Sequence, residues 1–433
     1  MNSKQKTIKE PLFHISKRSK SSLKTYQVIL IKASSLLIGL ILSSIICSVI
    51  SGYSPFDYFY YLFDGTFGTD RRIWMLFKEM FLLLGVGLAL IPAFKMKFWN
   101  LGGNGQILMG CLASVMCMFL LGDKKGWSDG AVIPLMIITS ILAGAIWAVI
   151  PAIFKAFFKT NESLFTLMTN YIALELVAFF IRQNSTQGST MPKINSGYFP
   201  VLGGNEYLLS IVVIAILTVI MFLYFKFSKH GYEISVVGES ENTARYVGLN
   251  VKKVTIRTIA LSGAICGLIG LLLTGSLNHS ISENSANNMG FTAIMAAWLA
   301  KLDPLLLLVS TFFISFINNG MSNVQTNFEL YNNSISKVVL GLIYFILIAS
   351  EFFVEYKIMF RKKEKKSDVK TVEQEKTASA DENVQKNGKA CENTNEKVTT
   401  DNSAKTEEVK QNFESAIKSN QPIDKKKEDE ING

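Results

Sequence analysis

The stretch "LLSIVVIAILTVIMFLYF", residues 208–225, contains no charged residue, no glycine and no proline. Wound as an α-helix it would run about 27 Å, close to the hydrocarbon thickness of a bilayer. It lacks the period-two alternation of a barrel strand. Apolar blocks recur at residues 33–50, 80–94, 107–121, 131–154, 164–181, 255–277, 304–317 and 338–353. Lipid offers no partner to a backbone N–H or C=O, and a helix satisfies these groups within its own segment. The sequence therefore specifies an all-α polytopic membrane protein. Its composition agrees: 49% of the 433 residues are hydrophobic and only 18% charged, with a mean hydropathy of +0.28.

The net charge of +10 would point to nucleic acid in a soluble protein, but here it follows the positive-inside rule, and no nucleic-acid partner is expected. Basic residues crowd positions 4–24, Lys95 and Lys97, Lys155 and Lys159, positions 226–257, and the stretch after Lys357. Few lie in the alternate connections at 51–60, 122–130, 184–206 and 278–288. This alternation predicts about ten crossings, with residues 290–300 as a short eighth helix, and both termini in the cytoplasm. The expected organisation is a basic cytoplasmic segment (1–27), a transmembrane domain (28–360) with a cytoplasmic loop at 228–254, and a disordered cytoplasmic tail (361–433). The tail is rich in Lys, Glu, Asn and Thr and too poor in apolar residues to offset ordering entropy. No small-residue cleavage pattern follows the first apolar block, which is expected to stay as a transmembrane helix.

Enzymatic chemistry finds little footing. No GxxxxGK[ST] phosphate loop is present, the three histidines are scattered, and no serine elbow occurs. The five cysteines lack paired ligand spacing and read as packing residues, with no metal expected. Polar residues inside the apolar blocks are more informative, because they are costly there and tend to face a cavity or a partner helix. "FWNLGGNGQ" (98–106) sets Asn100, Asn104 and Gln106 among three glycines. "NESLFTLMTNYIALE" (161–175) carries Thr166, Asn170, Tyr171 and Glu175 into a helix. Either set suits a solute path, and either equally suits hydrogen bonding between helices. "LSGAICGLIG" (261–270) has small-xxx-small spacing at Gly263 and Gly267 and reads as packing. In "GESENTARYVGL" (238–249), Ser240 is placed to cap a short helix from Glu241, which Gly248 is placed to close.

These segments resemble the permeases of ABC transporters of the nucleoside and simple-sugar type, within the wider branched-chain amino-acid and ribose permease group. Residues 98–106 are similar to that family's "FNIGxEGQ", and 161–173 to its "NEvitTLMlNYIA". Residues 290–304 are similar to its "GFTAIAVALLGrlnP", and 238–249 to its "GxNPxAAxxxGI". The resemblance covers roughly residues 80–304. Asn104 stands where the family has Glu, and Ser240, Glu241 and Thr243 replace its Asn, Pro and first Ala. The resemblance implies the membrane subunit of an ATP-driven importer in the cell membrane, for nucleosides or alternatively for simple sugars. It implies that the 241–247 helix is a coupling helix, with Glu239, Glu241, Ala244 and Gly248 at the contact with a separate ATPase. It also implies a second permease chain, identical or homologous, and an extracytoplasmic substrate-binding lipoprotein. ATP would be used by the ATPase, so no cofactor is expected on this chain. The substrate pathway would draw on Asn100, Asn104, Gln106, Asn170, Tyr171 and Phe291. A rival reading is a proton-coupled secondary transporter using Glu175, with Glu79 in support.

Overall fold

The computed structural model describes residues 13–17, 24–185, 188–329 and 333–360. The tail expected at 361–433 and most of the basic segment at 1–27 lie outside the described residues. The chain divides into two compact units. Ile15–Ile358 holds all the described helices, whereas Met1–His14 with Met359–Gly433 contributes only four described residues, at the ends of two short strands. Those strands, β1 (Phe13–Lys17) and β2 (Tyr356–Phe360), pair with each other.

Thirteen α-helices follow β1 among the described residues: α1 (Thr25–Ser51), α2 (Pro55–Phe67), α3 (Asp70–Lys95), α4 (Gly103–Cys117), α5 (Asp129–Phe158), α6 (Glu162–Asn184), α7 (Leu208–Phe227), α8 (Lys229–Glu239), α9 (Glu241–Tyr246), α10 (Val251–Leu272), α11 (Met289–Leu299), α12 (Pro304–Asn327) and α13 (Asn333–Glu355). Two π-helical segments, Met118–Asp123 and Leu273–Asn278, prolong α4 and α10. Nine of the described helices are long and apolar enough to cross a membrane.

The remaining apolar helix is α11, the short eighth helix the sequence predicts. Its 11 residues reach only about 16 Å, roughly half a bilayer. The chain ahead of it, residues 279–288, is irregular and bends through left-handed backbone at Asn287 and Asn288. Asparagine tolerates that conformation better than other non-glycine residues. Alone α11 is too short to span, so nine candidate spans among the described residues stand against the about ten crossings expected. Irregular backbone like that ahead of α11 is tolerated at membrane depth where protein covers it. Helix α2, by contrast, begins within the stretch 51–60 that the sequence reads as a connection. Ser54 caps it by accepting from the Phe56 N–H, and Pro55 occupies its first turn. Asp64 at its far end bonds Arg72 of α3, and Asn323 of α12 donates to the Asp64 carboxylate.

Helices α4, α5 and α10 touch backbone to backbone. A Cβ added at Gly110 of α4 would stand 2.7 Å from the Gly267 Cα, and one at Gly144 of α5 would stand 2.8 Å from the same atom. Inside lipid there is little hydrophobic drive between helices, so close van der Waals packing of small residues supplies the attraction. Helix α3 is buried along most of its length and forms the central post, packed against α7, α10, α11 and α12. A separate cluster around Tyr58 and Phe328 joins α1, α2, α12 and α13. At the end opposite α8 and α9, the loop after α6 is tied down by backbone bonds from Met191 to Ile281, Ile194 to His279 and Phe199 to Gly275.

Candidate functional site

After α3 the chain turns through Lys97, in the left-handed region, and runs as Phe98–Gly102 into the first turn of α4. The first N–H groups of any helix have no partner within it. In α4 and α11 these orphans are met by amides from other segments. Asn170 of α6 accepts from the Gly105 N–H at 2.8 Å and donates to the Leu101 carbonyl at 2.8 Å. Asn104 of α4 accepts from the Gly290 N–H, at the start of α11, at 2.7 Å. Asn100 receives the Gly102 N–H at 3.0 Å and the Gln106 side chain at 3.1 Å, and donates to the Ser262 hydroxyl of α10 at 3.2 Å. Thr166 accepts from the Leu101 N–H at 3.1 Å.

The glycines make this approach possible. A Cβ on Gly105 would stand 3.0 Å from the Asn170 Cα, and one on Gly290 would stand 2.7 Å from the Asn104 N. Asn100, Asn104, Gln106 and Asn170 are thus gathered into one buried knot that caps α4 and α11 and ties both to α6 and α10.

Tyr171 and Phe291 are placed differently. Each follows a residue of the knot by one position, and each turns outward, Tyr171 62% exposed and Phe291 38% exposed. Trp99 and Trp298 are also exposed and stack on each other with ring centroids 5.4 Å apart, Phe94 meeting both edge-on. Neither tryptophan is singled out by the sequence motifs, and only the fold brings them together. The outward face of α6 also presents Met168, Ile172, Leu176 and Phe179 around an exposed Glu175. Glu175 lies 13 residues after Glu162 and 9 before Asn184, so about 20 Å and 14 Å from the helix ends. A carboxylate at such a depth costs about 3 kcal/mol or more against hydrocarbon.

The second feature is the projection formed by α8 and α9. Ser240 caps α9 by accepting from the Thr243 N–H at 3.3 Å, and Gly248 ends the turn at φ 84°. Both agree with the sequence reading. Ala244 faces inward and is fully buried, in the cluster of Met96, Phe98, Val237 and Val254. Glu239 and Glu241 face outward, together with Tyr246, which is 91% exposed, and Val247. A groove of about 800 Å³ runs beside the projection, lined by Lys97, Lys155, Lys159, Glu239, Arg245 and Lys252. Sequence reading passed over Tyr246. Its signal is an aromatic residue two positions before the closing glycine of a short polar helix.

His230, at the base of α8, is buried and hydrogen-bonded to the Tyr224 hydroxyl and, at 3.3 Å, to the Thr258 hydroxyl. Burial, then the nearby Arg257 charge, holds its pKa below the usual histidine value. Among the described residues no cluster of His, Cys, Asp and Glu has the makings of a metal site.

A bundle of long apolar helices, a short helix capped by buried amides and a projecting two-helix loop together make a multi-pass membrane protein. Residues 74–348 match the model of the family described as the branched-chain amino acid transport system permease component, and the chain belongs to that family. Among curated proteins it is 26% identical to the guanosine ABC transporter permease protein of Bacillus subtilis, over 76% of this chain and 95% of that one. It is likewise 26% identical to the nucleoside ABC transporter permease protein of Lactococcus lactis subsp. cremoris, over 76% of this chain and 92% of that one. Identity to the glucose ABC transporter permease protein of Haloferax volcanii is also 26%, over 64% of this chain and 76% of that one.

Proposed function

We propose that this chain is the membrane subunit of an ATP-driven importer of nucleosides in the cell membrane, with the α8–α9 end and both termini in the cytoplasm. The observation that carries the coupling half is the α9 projection. It is seated on the body through Ala244 and offers Tyr246, Val247, Glu239 and Glu241 outward. A separate ATPase docks there, and its closure on ATP moves α8 and α9, which α3 and α10 contact directly. The lysines around the groove fit a cytoplasmic face.

Identity alone does not choose between nucleoside and glucose relatives. The greater coverage of the nucleoside relatives favours the former, as do the exposed rings of Tyr171, Phe291, Trp99 and Trp298, which suit a planar base. In this reading Tyr171 and Phe291 belong to the wall of the substrate path. Asn100, Asn104, Gln106 and Asn170 hold that wall in place from behind. A second permease chain, identical or homologous, closes the path, and an extracytoplasmic lipoprotein delivers the solute. Nothing in the family assignment supports a proton-coupled mechanism.

The test is purification of the complex, identification of its subunits, and uptake in proteoliposomes supplied with ATP and without an ion gradient. Uptake of nucleoside under those conditions is the expected result. Uptake that requires a proton gradient, with no co-purifying ATPase, would overturn the proposal.

A further inference from the structure

Glu175 is the anomaly of the bundle. It is exposed, stands at mid-span of α6, and makes no hydrogen bond or ion pair among the described residues. The residues exposed around it, Met168, Ile172, Leu176 and Phe179, are apolar. A face of that kind turned to lipid would strand the carboxylate in hydrocarbon, and the second permease chain proposed above gives it a path to face instead. Tyr171 lies on the same face, one turn earlier, and the two side chains stand roughly 6 Å apart at their Cβ atoms.

We infer that Tyr171 and Glu175 together form a recognition point for the base of the transported nucleoside, an inference that rests on the nucleoside reading above. The tyrosine ring stacks on the planar base. The carboxylate accepts hydrogen bonds from neighbouring N–H groups on the base edge. Its two oxygens match a pair of adjacent donors such as the ring N–H and exocyclic amino group of guanine. A base with one donor at that edge, such as hypoxanthine, engages only one oxygen. Glu175 is therefore a specificity-determining residue, since a site built to accept two donors discriminates against the analogue that lacks one.

The experiment measures initial uptake of guanosine and inosine by the reconstituted complex with its ATPase and binding protein. Glu175→Gln is expected to lower the guanosine rate about tenfold relative to inosine, with protein amount and melting temperature unchanged. Tyr171→Ala is expected to slow both solutes, and Tyr171→Phe neither. An unchanged guanosine-to-inosine ratio in both Glu175→Gln and Glu175→Ala overturns the inference. So does an equal loss for both solutes accompanied by a lower melting temperature, which marks a purely structural contact. If the wild-type complex moves glucose and neither nucleoside, the substrate reading fails by itself. The placement of Glu175 is then judged by Glu175→Cys in a Cys391→Ser chain, whose other four cysteines are buried. Reaction of position 175 with a water-soluble thiol reagent supports the path-facing placement, and no reaction in any nucleotide state overturns it.

Discussion

Asn104 shows how a single atom explains a departure from a motif. The family pattern has Glu at that position, and here the side chain is an amide. The structure uses only one of its groups, the oxygen that accepts from the Gly290 N–H. Glutamate offers the same kind of acceptor one methylene further out, so the exchange tests whether an acceptor alone sets the cap on α11. Asn104→Glu is therefore expected to preserve thermal stability in detergent. Asn104→Ala should leave the Gly290 N–H bare and cost roughly 1–3 kcal/mol. Asn170→Ala should cost more, because it abandons both the Gly105 N–H and the Leu101 carbonyl. Melting curves of the purified variants compare the three. A loss for Asn104→Glu as large as that for Asn104→Ala would show that the acceptor is not what matters there.

At the scale of elements, α9 separates two kinds of contact that the sequence merges. Ala244 looks like a docking residue from its place in the motif. In the fold it is the buried foot of the helix, so Ala244→Asp is expected to unseat α9 and lower stability along with ATPase binding. Tyr246 is 91% exposed and has no hydrogen bond or ring contact to lose among the described residues. Tyr246→Ala is expected to weaken ATPase association at least tenfold while leaving the melting temperature unchanged, as an exposed aromatic anchor would. Equal ATPase affinity in a pull-down titration would remove Tyr246 from the interface.

The base of α8 carries a pH signature. His230 has a folded pKa below its unfolded value, so the unfolded chain binds the proton more readily. Its contribution to stability is complete above about pH 6.5 and falls as pH drops below that. His279, stacked on Tyr198 at the other end of α10, is shifted the same way by burial and Lys193. Stability measured from pH 7.5 to 5 should decline. In the double variant His230→Gln, His279→Gln the slope over that window should flatten. An equal slope in the double variant would assign the decline to other groups.

At the scale of the whole molecule, the nine long helices were legible because an apolar run of bilayer length has few other uses. Helix α2 was not legible. Its 13 residues are too few to span, and it forms because α12 offers a surface where Gly65 and Gly320 approach the opposing chain closely. The closing ion pairs are equally invisible in sequence. Glu351 of α13 meets Lys32 of α1 at 3.1 Å and Lys301, just past α11, at 3.2 Å. Glu351→Ala should therefore loosen the end of α11 against α1 and α13, read as faster amide exchange at residues 296–302. Unchanged exchange there would show that Glu351 does not hold the end of α11, leaving it to packing and to the bonds from Lys32 to Leu299 and Ser310 to Ala296.

By itself the sequence determined that this protein is a bundle of membrane helices, because hydrophobicity and length act locally along the chain. It also placed the capped turn of α9 and marked Gly263 and Gly267 of α10 as a packing face, since caps and small-residue spacing are short-range signals. That α5 is the partner came from the fold. Tertiary structure alone decided which way each polar side chain points. Asn170 and Tyr171 are neighbours in sequence, yet one is spent inside the knot and the other is exposed. The physical reason is the 100° rotation per residue of a helix, which assigns adjacent side chains to different neighbours. Which neighbours those are depends on how distant segments pack.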